Sequence, residues 1–151
     1  ELKLIIEDLK RKGKKIIWTN GCFDILHVGH IDYLKKARRL GDYLIVGLNS
    51  DESVKLSKGN SRPIIPEKER AEILSSLEFV DYVSIFSDRN VANYLKELRL
   101  DVYVKGGDYN LDKIDQEEKR IIEGYGGNFV FIPITVDAST SKIVEKIKNR
   151  N

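Results

Sequence analysis

His27 and His30, three residues apart, carry the strongest chemical signal in the sequence, and they are its only histidines. They begin a stretch of helical periodicity, so we expect them at a helix amino terminus, nearly on one face. Free backbone N–H groups and the positive end of the helix dipole attract phosphate oxygens there. Gly29 between them and Gly21 before them let a nucleotide approach the backbone closely. The pair therefore predicts a binding site for a polyphosphate.

The segment before the histidines completes this expected phosphate-binding corner. Asp24 can orient a histidine, hold a metal through water or contact the substrate, and an Asx turn is the alternative. Cys22 is interpreted as a packing residue rather than a nucleophile, because no base stands in an evident sequence relation to it. The residues predicted to contact the nucleotide here are Asn20, Gly21, Cys22 and Phe23.

Cationic side chains gather in and after residues 51–66, the longest stretch without clear periodicity, which we predict to be a mobile loop. Lys55, Lys58 and Arg62 lie in this stretch, and Arg70 lies on the helix after it. Cations in these places can close over phosphates and neutralise developing charge. The alternative for each residue taken alone is a solvated surface charge.

Two further groups lie where the expected fold binds ligands. Ser139, Thr140 and Ser141 stand at the start of the last helix, where hydroxyl and backbone N–H groups can hold phosphates or form a plain N-cap. A Lys-Gly-Gly-Asp run follows the fourth strand, and its glycines allow a tight turn beside the base or substrate. From this run we predict contacts by Lys105, Gly106 and Asp108, and Asp51 is either a substrate contact or an N-cap.

Short apolar runs that alternate with stretches of helical periodicity must position these side chains. The runs lack alternation of polar and apolar residues, which is typical of strands covered on both faces by helices. Strict alternation of strand and helix favours a parallel sheet, with ligands beyond the carboxyl ends of its strands. We predict one domain over 1–151, a Rossmann-like doubly wound α/β fold with a five-stranded parallel sheet and helices on both faces. The predicted strands are 15–19, 43–48, 82–86, 102–104 and 129–132.

Composition excludes several classes of protein. The 151 residues are 41% hydrophobic and 33% charged, which is typical of one soluble domain, and no apolar run is long enough to span a membrane. The single cysteine excludes an intramolecular disulfide framework and fits a reducing compartment, so we expect a cytoplasmic protein. A net charge of +2 gives no reason to expect a nucleic-acid or membrane partner.

The sequence resembles the cytidylyltransferase-like nucleotidyltransferases, whose signature is His-x-Gly-His after a strand. The resemblance extends over nearly the whole chain, and within the family it is greatest to the adenylyltransferase domains of ADP-heptose synthases. Glycerol-3-phosphate cytidylyltransferases are the next most similar group. The matching segments are Gly21-Cys22-Phe23-Asp24, His27-Val28-Gly29-His30, Asn49-Ser50-Asp51, Lys58-Gly59-Asn60-Ser61-Arg62-Pro63, Lys105-Gly106-Gly107-Asp108-Tyr109 and Ala138-Ser139-Thr140-Ser141.

This resemblance implies transfer of AMP from ATP to D-glycero-β-D-manno-heptose 1-phosphate, which gives ADP-heptose and pyrophosphate. His27, His30 and Lys58 would be the catalytic residues, Arg70 and Ser139 to Ser141 would bind the nucleotide, and a homodimer is implied. The incoming phosphate is already ionised, so positioning and electrostatic stabilisation suffice without a general base. Mg²⁺ is the expected cofactor, and we assign no side chain as its ligand.

Two other functions stay open at this stage. One is a cytidylyltransferase that uses CTP and glycerol 3-phosphate, or another polyol or amino-alcohol phosphate. Cytidylyltransferase relatives place an arginine near Ile134 and Thr135, and its absence here argues against that reading. The other is a nucleotide-binding module without turnover, against which the intact histidine pair argues. A free-standing enzyme and a piece of a kinase fusion are both compatible with the sequence.

Overall fold

The sheet of the molecule contains five parallel strands in the order β3-β2-β1-β4-β5. The computed structural model describes residues 1–87, 91–107, 110–133 and 135–150. Each neighbouring pair runs parallel, which confirms the predicted doubly wound arrangement. The strands are β1 (Ile16–Gly21), β2 (Tyr43–Asn49), β3 (Tyr82–Phe86), β4 (Val102–Gly106) and β5 (Asn128–Ile132).

Helices cover both faces of this sheet. One apolar cluster joins α1, α5 and α6 to the sheet, and a second joins α2 and α4 to its other face. None of the helices in the described ranges has the length and apolar character needed to cross a bilayer. The helices are α1 (Leu2–Arg11), α2 (Val28–Arg38), α3 (Asp51–Lys58), α4 (Glu67–Ser75), α5 (Ala92–Leu98), α6 (Gln116–Gly124) and α7 (Thr140–Lys148).

The packing of the central strand β1 on both of its faces explains why its sequence is one continuous apolar run. Ile16 and Trp18 pack into the first cluster, whereas Ile17 packs into the second. Successive side chains of a strand point to opposite faces, so a sheet covered on both faces needs apolar residues at every position. Gly47 on β2 leaves room for the indole, since a Cβ there would lie 2.3 Å from the Trp18 ring.

The prediction of a mobile loop over 51–66 is wrong for its first half, because Asp51–Lys58 forms α3. The Ser50 side chain caps this helix by accepting a hydrogen bond from the Ser53 N–H at 3.2 Å. Gly59, at φ +94, ends it in a conformation that favours glycine. The N-cap is therefore Ser50, which corrects the N-cap alternative considered for Asp51.

Candidate active site

A cavity of about 420 Å³ opens at the carboxyl ends of β1 and β4, where this architecture binds ligands. The loop after β1, the first turn of α2 and the start of α7 form its walls. Most of the residues predicted to bind a nucleotide converge here. Its lining residues are Asn20, Gly21, Cys22, Phe23, His27, Gly29, His30, Tyr33, Lys58, Val104, Lys105, Gly106, Ala138, Ser139, Thr140 and Ser141.

The two histidines meet face to face at the cavity. Their ring centroids lie 3.8 Å apart with an interplanar angle of 26°, and the Phe23 ring lies 5.2 Å from that of His30. His27 is the N-cap residue of α2, in extended backbone conformation, and His30 lies in the first helical turn. A Cβ on Gly29 would lie 3.0 Å from the His27 ring. A side chain at this position would therefore press on the stacked rings, whereas glycine leaves room for them.

Burial keeps both imidazoles neutral in the free protein at neutral pH. It lowers the pKa of His30 to about 4, helped by the nearby His27 and Lys58, and it also lowers the pKa of His27. The Nδ1 atoms of both rings are shielded from solvent and have no hydrogen-bond partner among the described residues. Because Nδ1 is shielded, we expect each histidine to bind a ligand through Nε2.

The low pKa of His30 predicts a pH-dependent stability. Below pH 6.5 the unfolded chain takes up a proton at His30, whereas the folded protein resists protonation down to about pH 4. The free energy of unfolding is therefore at its full value, as far as His30 is concerned, above pH 6.5, and it decreases as the pH falls toward 4. Urea unfolding at several pH values measures it, and His30→Gln should show a smaller loss than the unaltered protein. An equal loss in both would contradict the assignment to His30.

Tyr33 forms part of the cavity wall that sequence reasoning missed, together with Val104 and Ala138. Its hydroxyl lies 2.5 Å from the Thr19 hydroxyl and donates to the Val104 carbonyl at 2.9 Å. Burial raises the pKa of Tyr33, so the phenol stays protonated. A Cβ on Gly106 would lie 2.9 Å from this ring. The sequence did contain a signal for Tyr33: it lies one helical turn after His30, on the same face of the helix.

The Lys105 ammonium is held at the wall formed by β4. It lies 3.0 Å from a carboxylate oxygen of Glu118 on α6 and 4.9 Å from the centre of the Tyr103 ring. The Tyr103 hydroxyl in turn donates to the side-chain oxygen of Asn20. Lys105 and Asn20 are therefore oriented by a network whose other members, Tyr103 and Glu118, were not predicted.

The start of α7 forms the N-cap considered for its hydroxyl residues. The Ser139 side chain caps the helix by accepting from the Lys142 N–H at 3.1 Å, and Thr140 donates to the Ile25 carbonyl at 3.1 Å. The Ser139 hydroxyl hydrogen stays free to donate to an anion while its oxygen caps the helix. The plain cap and the phosphate site can thus be one structure.

The structure brings only one of the four predicted loop and helix cations, Lys58, to the cavity. Lys55 is exposed on α3 and does not line the cavity. Arg62 donates through Nε to Asp24 at 2.7 Å. Arg70 is only 1% exposed, and its guanidinium donates to protein oxygens on all sides, so it does not reach the cavity. The acceptors are the carbonyls of Cys22, Asn49 and Ile65 and the carboxylate of Asp51.

The acidic residues predicted to contact substrate lie away from the cavity lining where the structure describes them. Asp24 is 3% exposed and accepts from Arg62 and from the N–H groups of Ile64 and Ile65. Asp51 accepts from Arg70 at 2.7 Å. The buried charges of Asp24 and Arg70 thus each have a partner, as buried charges require. Asp108 lies outside the described residues.

Comparison with known proteins agrees with this geometry. Residues 18–146 match the family described as cytidylyltransferase-like. The chain is 47% identical over 149 residues to the bifunctional protein HldE of Syntrophotalea carbinolica and 48% identical over 143 residues to that of Geobacter sulfurreducens. These matches cover 99% and 95% of the chain but only 30% and 29% of the relatives, so the chain spans less than a third of their length.

A solved structure has the same fold. The lipopolysaccharide core biosynthesis protein from Thermoplasma volcanium superposes with a TM-score of 0.65 at 30% sequence identity. The superposition covers 83% of this chain and 100% of that protein. Fold, histidine pair and sequence match agree, and the chain belongs to the cytidylyltransferase-like family.

Proposed function

We propose that the chain is a single adenylyltransferase domain that transfers AMP from ATP to D-glycero-β-D-manno-heptose 1-phosphate and releases pyrophosphate. The observation that carries the reaction class is the stacked His27–His30 pair at a cavity beside the amino terminus of α7. The sugar phosphate rests on the resemblance to ADP-heptose synthases. The names of the matched proteins, bifunctional HldE and a lipopolysaccharide core biosynthesis protein, agree with it.

In this proposal the cavity residues bind and orient a triphosphate for in-line attack. An oxygen of the acceptor phosphate forms a bond to the α-phosphorus, and the bond from that phosphorus to the bridging oxygen of pyrophosphate breaks. Nε2 of His27 and of His30 donates to phosphoryl oxygens, and Lys58 supplies the positive charge at the cavity rim. Preorganised donors of this kind stabilise the charge that develops in the transition state.

The donor set of the cavity fits a Mg²⁺ ion that arrives with the nucleotide. Within the part of the chain that the structure describes, no carboxylate lines the cavity and no group of three His, Cys, Asp or Glu side chains could hold a metal. The hydroxyls of Ser139 and Ser141 in the lining would be oxygen donors beside the triphosphate. Mg²⁺ commonly keeps several waters and binds substrate phosphates, which requires few protein ligands. When bound, it would neutralise charge on the triphosphate.

Pyrophosphate release tests the reaction and the substrates together. The protein is incubated with ATP or CTP, with heptose 1-phosphate or glycerol 3-phosphate, and with or without Mg²⁺. We expect fast release only with ATP, heptose 1-phosphate and Mg²⁺. Release with CTP and glycerol 3-phosphate would instead assign a cytidylyltransferase. Nucleotide binding without release in any combination would indicate a module without turnover.

The only cysteine gives a test of the binding site that needs no acceptor. Cys22 is partly exposed and lines the cavity, so a maleimide should label it in the free protein. ATP with Mg²⁺ should slow labelling at least tenfold if nucleotide fills the cavity around it, because access controls thiol modification. Mass spectrometry follows the rate, and Lys55→Ala, altered outside the cavity, is the control. Unchanged labelling at saturating ATP would place the nucleotide elsewhere.

Two parts of the proposal concern the setting of the reaction. We propose a cytoplasmic location, where ATP is supplied, and partners limited to the nucleotide and the sugar phosphate, without nucleic acid or membrane. A homodimer is a prediction from family resemblance, and sedimentation of the purified chain would measure it.

A further inference from the structure

A buried ion pair links the histidine turn to the segment between α3 and α4. Asp24 follows Phe23, which lines the cavity and packs on His30, and the Asp24 side chain is only 2% exposed. Its Oδ2 accepts from Arg62 Nε at 2.7 Å, and its Oδ1 accepts from the Ile64 and Ile65 N–H groups at 2.8 and 2.9 Å. The Asp24 carboxylate thus binds three residues of one segment, which lies about forty residues away in the chain.

Among the described residues, Lys58 is one of the two cations that line the cavity, and it directly precedes this segment. Lys58 is the last residue of α3, four residues before Arg62, and Gly59 between them ends the helix. The Lys58 side chain is exposed, so packing of its own atoms restrains it little and its place depends on the backbone that carries it. The contact of this segment with Asp24 fixes that backbone relative to the two histidines.

We propose that the Asp24–Arg62 ion pair is a positioning device, which holds residues 59–65 against the histidine turn and thereby keeps Lys58 at the cavity. The kinetic consequence rests on the proposed transfer reaction, whereas the structural consequence does not. Arg62 is a positioning residue rather than a phosphate ligand. Moving its guanidinium to a phosphate would leave the Asp24 charge buried and unpaired, which is strongly destabilising.

Kinetics of variants test the device. Arg62→Ala and Asp24→Asn should each lower kcat about tenfold to a hundredfold, because small misplacements of a catalytic group have effects of this size. The double variant should be little worse than either single variant, since both remove one interaction. Arg62→Ala should also have little further effect in a Lys58→Ala background. If the losses of kcat caused by Arg62→Ala and Lys58→Ala multiply in the double variant, the proposal is overturned in favour of direct binding by Arg62. A raised KM for ATP with an unchanged kcat would have the same meaning.

A matched control separates positioning from general stability. Arg38 and Asp81 form a similar partly buried pair at 3.1 Å, with side chains 33% and 25% exposed, at the far end of α2 from the histidines. Arg38→Ala should reduce the denaturation midpoint without lowering kcat. If Arg38→Ala and Arg62→Ala lower stability and kcat in the same proportion, the Asp24–Arg62 pair is only structural.

A second readout is independent of the transfer reaction. The Lys58 charge contributes to the low pKa of His30, alongside burial and His27. Titration of the His30 ring by NMR should therefore give a higher pKa in Lys58→Ala, and also in Arg62→Ala if Lys58 has moved away. Combining the two substitutions should raise it no further. An unchanged pKa in Arg62→Ala, beside a raised one in Lys58→Ala, would overturn the proposal even if the substrates are misassigned.

Discussion

His30→Ala is expected to lower kcat by about a hundredfold or more while leaving the protein folded, as loss of one transition-state donor does in other enzymes. The ring stacks on that of His27, with centroids 3.8 Å apart, and lines the cavity. Its contacts with the triphosphate should strengthen as charge moves to the phosphoryl oxygens. The loss should therefore fall mainly on kcat rather than on the KM for ATP. Steady-state pyrophosphate release measures both constants.

The control for this prediction lies on the same helix. Lys36 pairs with Asp32 at 2.7 Å on the surface of α2, so Lys36→Ala should alter helix and charge without affecting turnover. His27→Ala should resemble His30→Ala, and the double variant should lose less than the product of the two, because residues that act as a unit are not additive. Turnover of His30→Ala close to that of Lys36→Ala would contradict the mechanism.

The parallel sheet was predictable because burial on both faces leaves a strong mark in the sequence. The predicted strand 82–86 has the observed bounds. The strand ends were less certain: β1 continues through Asn20 and Gly21, whose polar or absent side chains break the apolar run. Backbone pairing with β2 continues to Gly21, and side-chain pattern alone does not report it.

Helix α3 was missed because its pattern is weak rather than absent. Within its eight residues only Val54 and Ser53 are buried, so little apolar periodicity exists. Its signals are local: the Ser50 cap, the acidic Asp51 and Glu52 in the first turn, and Gly59 at the end. Capping and charges that complement the helix dipole stabilise such a short helix even where apolar periodicity does not indicate it.

The residues of the site also differ in how far the local sequence could predict their roles. The histidine pair and the hydroxyls of α7 were found because their neighbours in sequence are their neighbours in space. Arg62 was assigned to the substrate and Arg70 to the nucleotide from their charge and from the family resemblance, without knowledge of their protein partners. Their acceptors, Asp24 for Arg62 and Cys22 for Arg70, lie 38 and 48 residues away, and such distant pairing is set by the fold.

Arg70→Ala is expected to lower the free energy of unfolding by several kcal/mol, because each buried acceptor left without its donor costs about 1–3 kcal/mol. Its side chain is fully buried, and its Nε donates to the Ile65 carbonyl at 2.8 Å. The variant would leave that carbonyl and those of Cys22 and Asn49 without this donor, and would leave Asp51 without its cation. Urea unfolding monitored by the buried Trp18 measures the loss.

Two variants sharpen this prediction. Lys68, exposed on the same helix, is the control, and Lys68→Ala should change stability by no more than about 0.5 kcal/mol. Arg70→Lys keeps the charge but replaces the planar fork with one ammonium, so it should recover only part of the loss and remain measurable if Arg70→Ala does not fold. Because the guanidinium binds the Cys22 carbonyl, its removal should also loosen the cavity wall. An Arg70→Lys protein of unaltered stability that no longer binds ATP would instead make Arg70 a direct phosphate ligand.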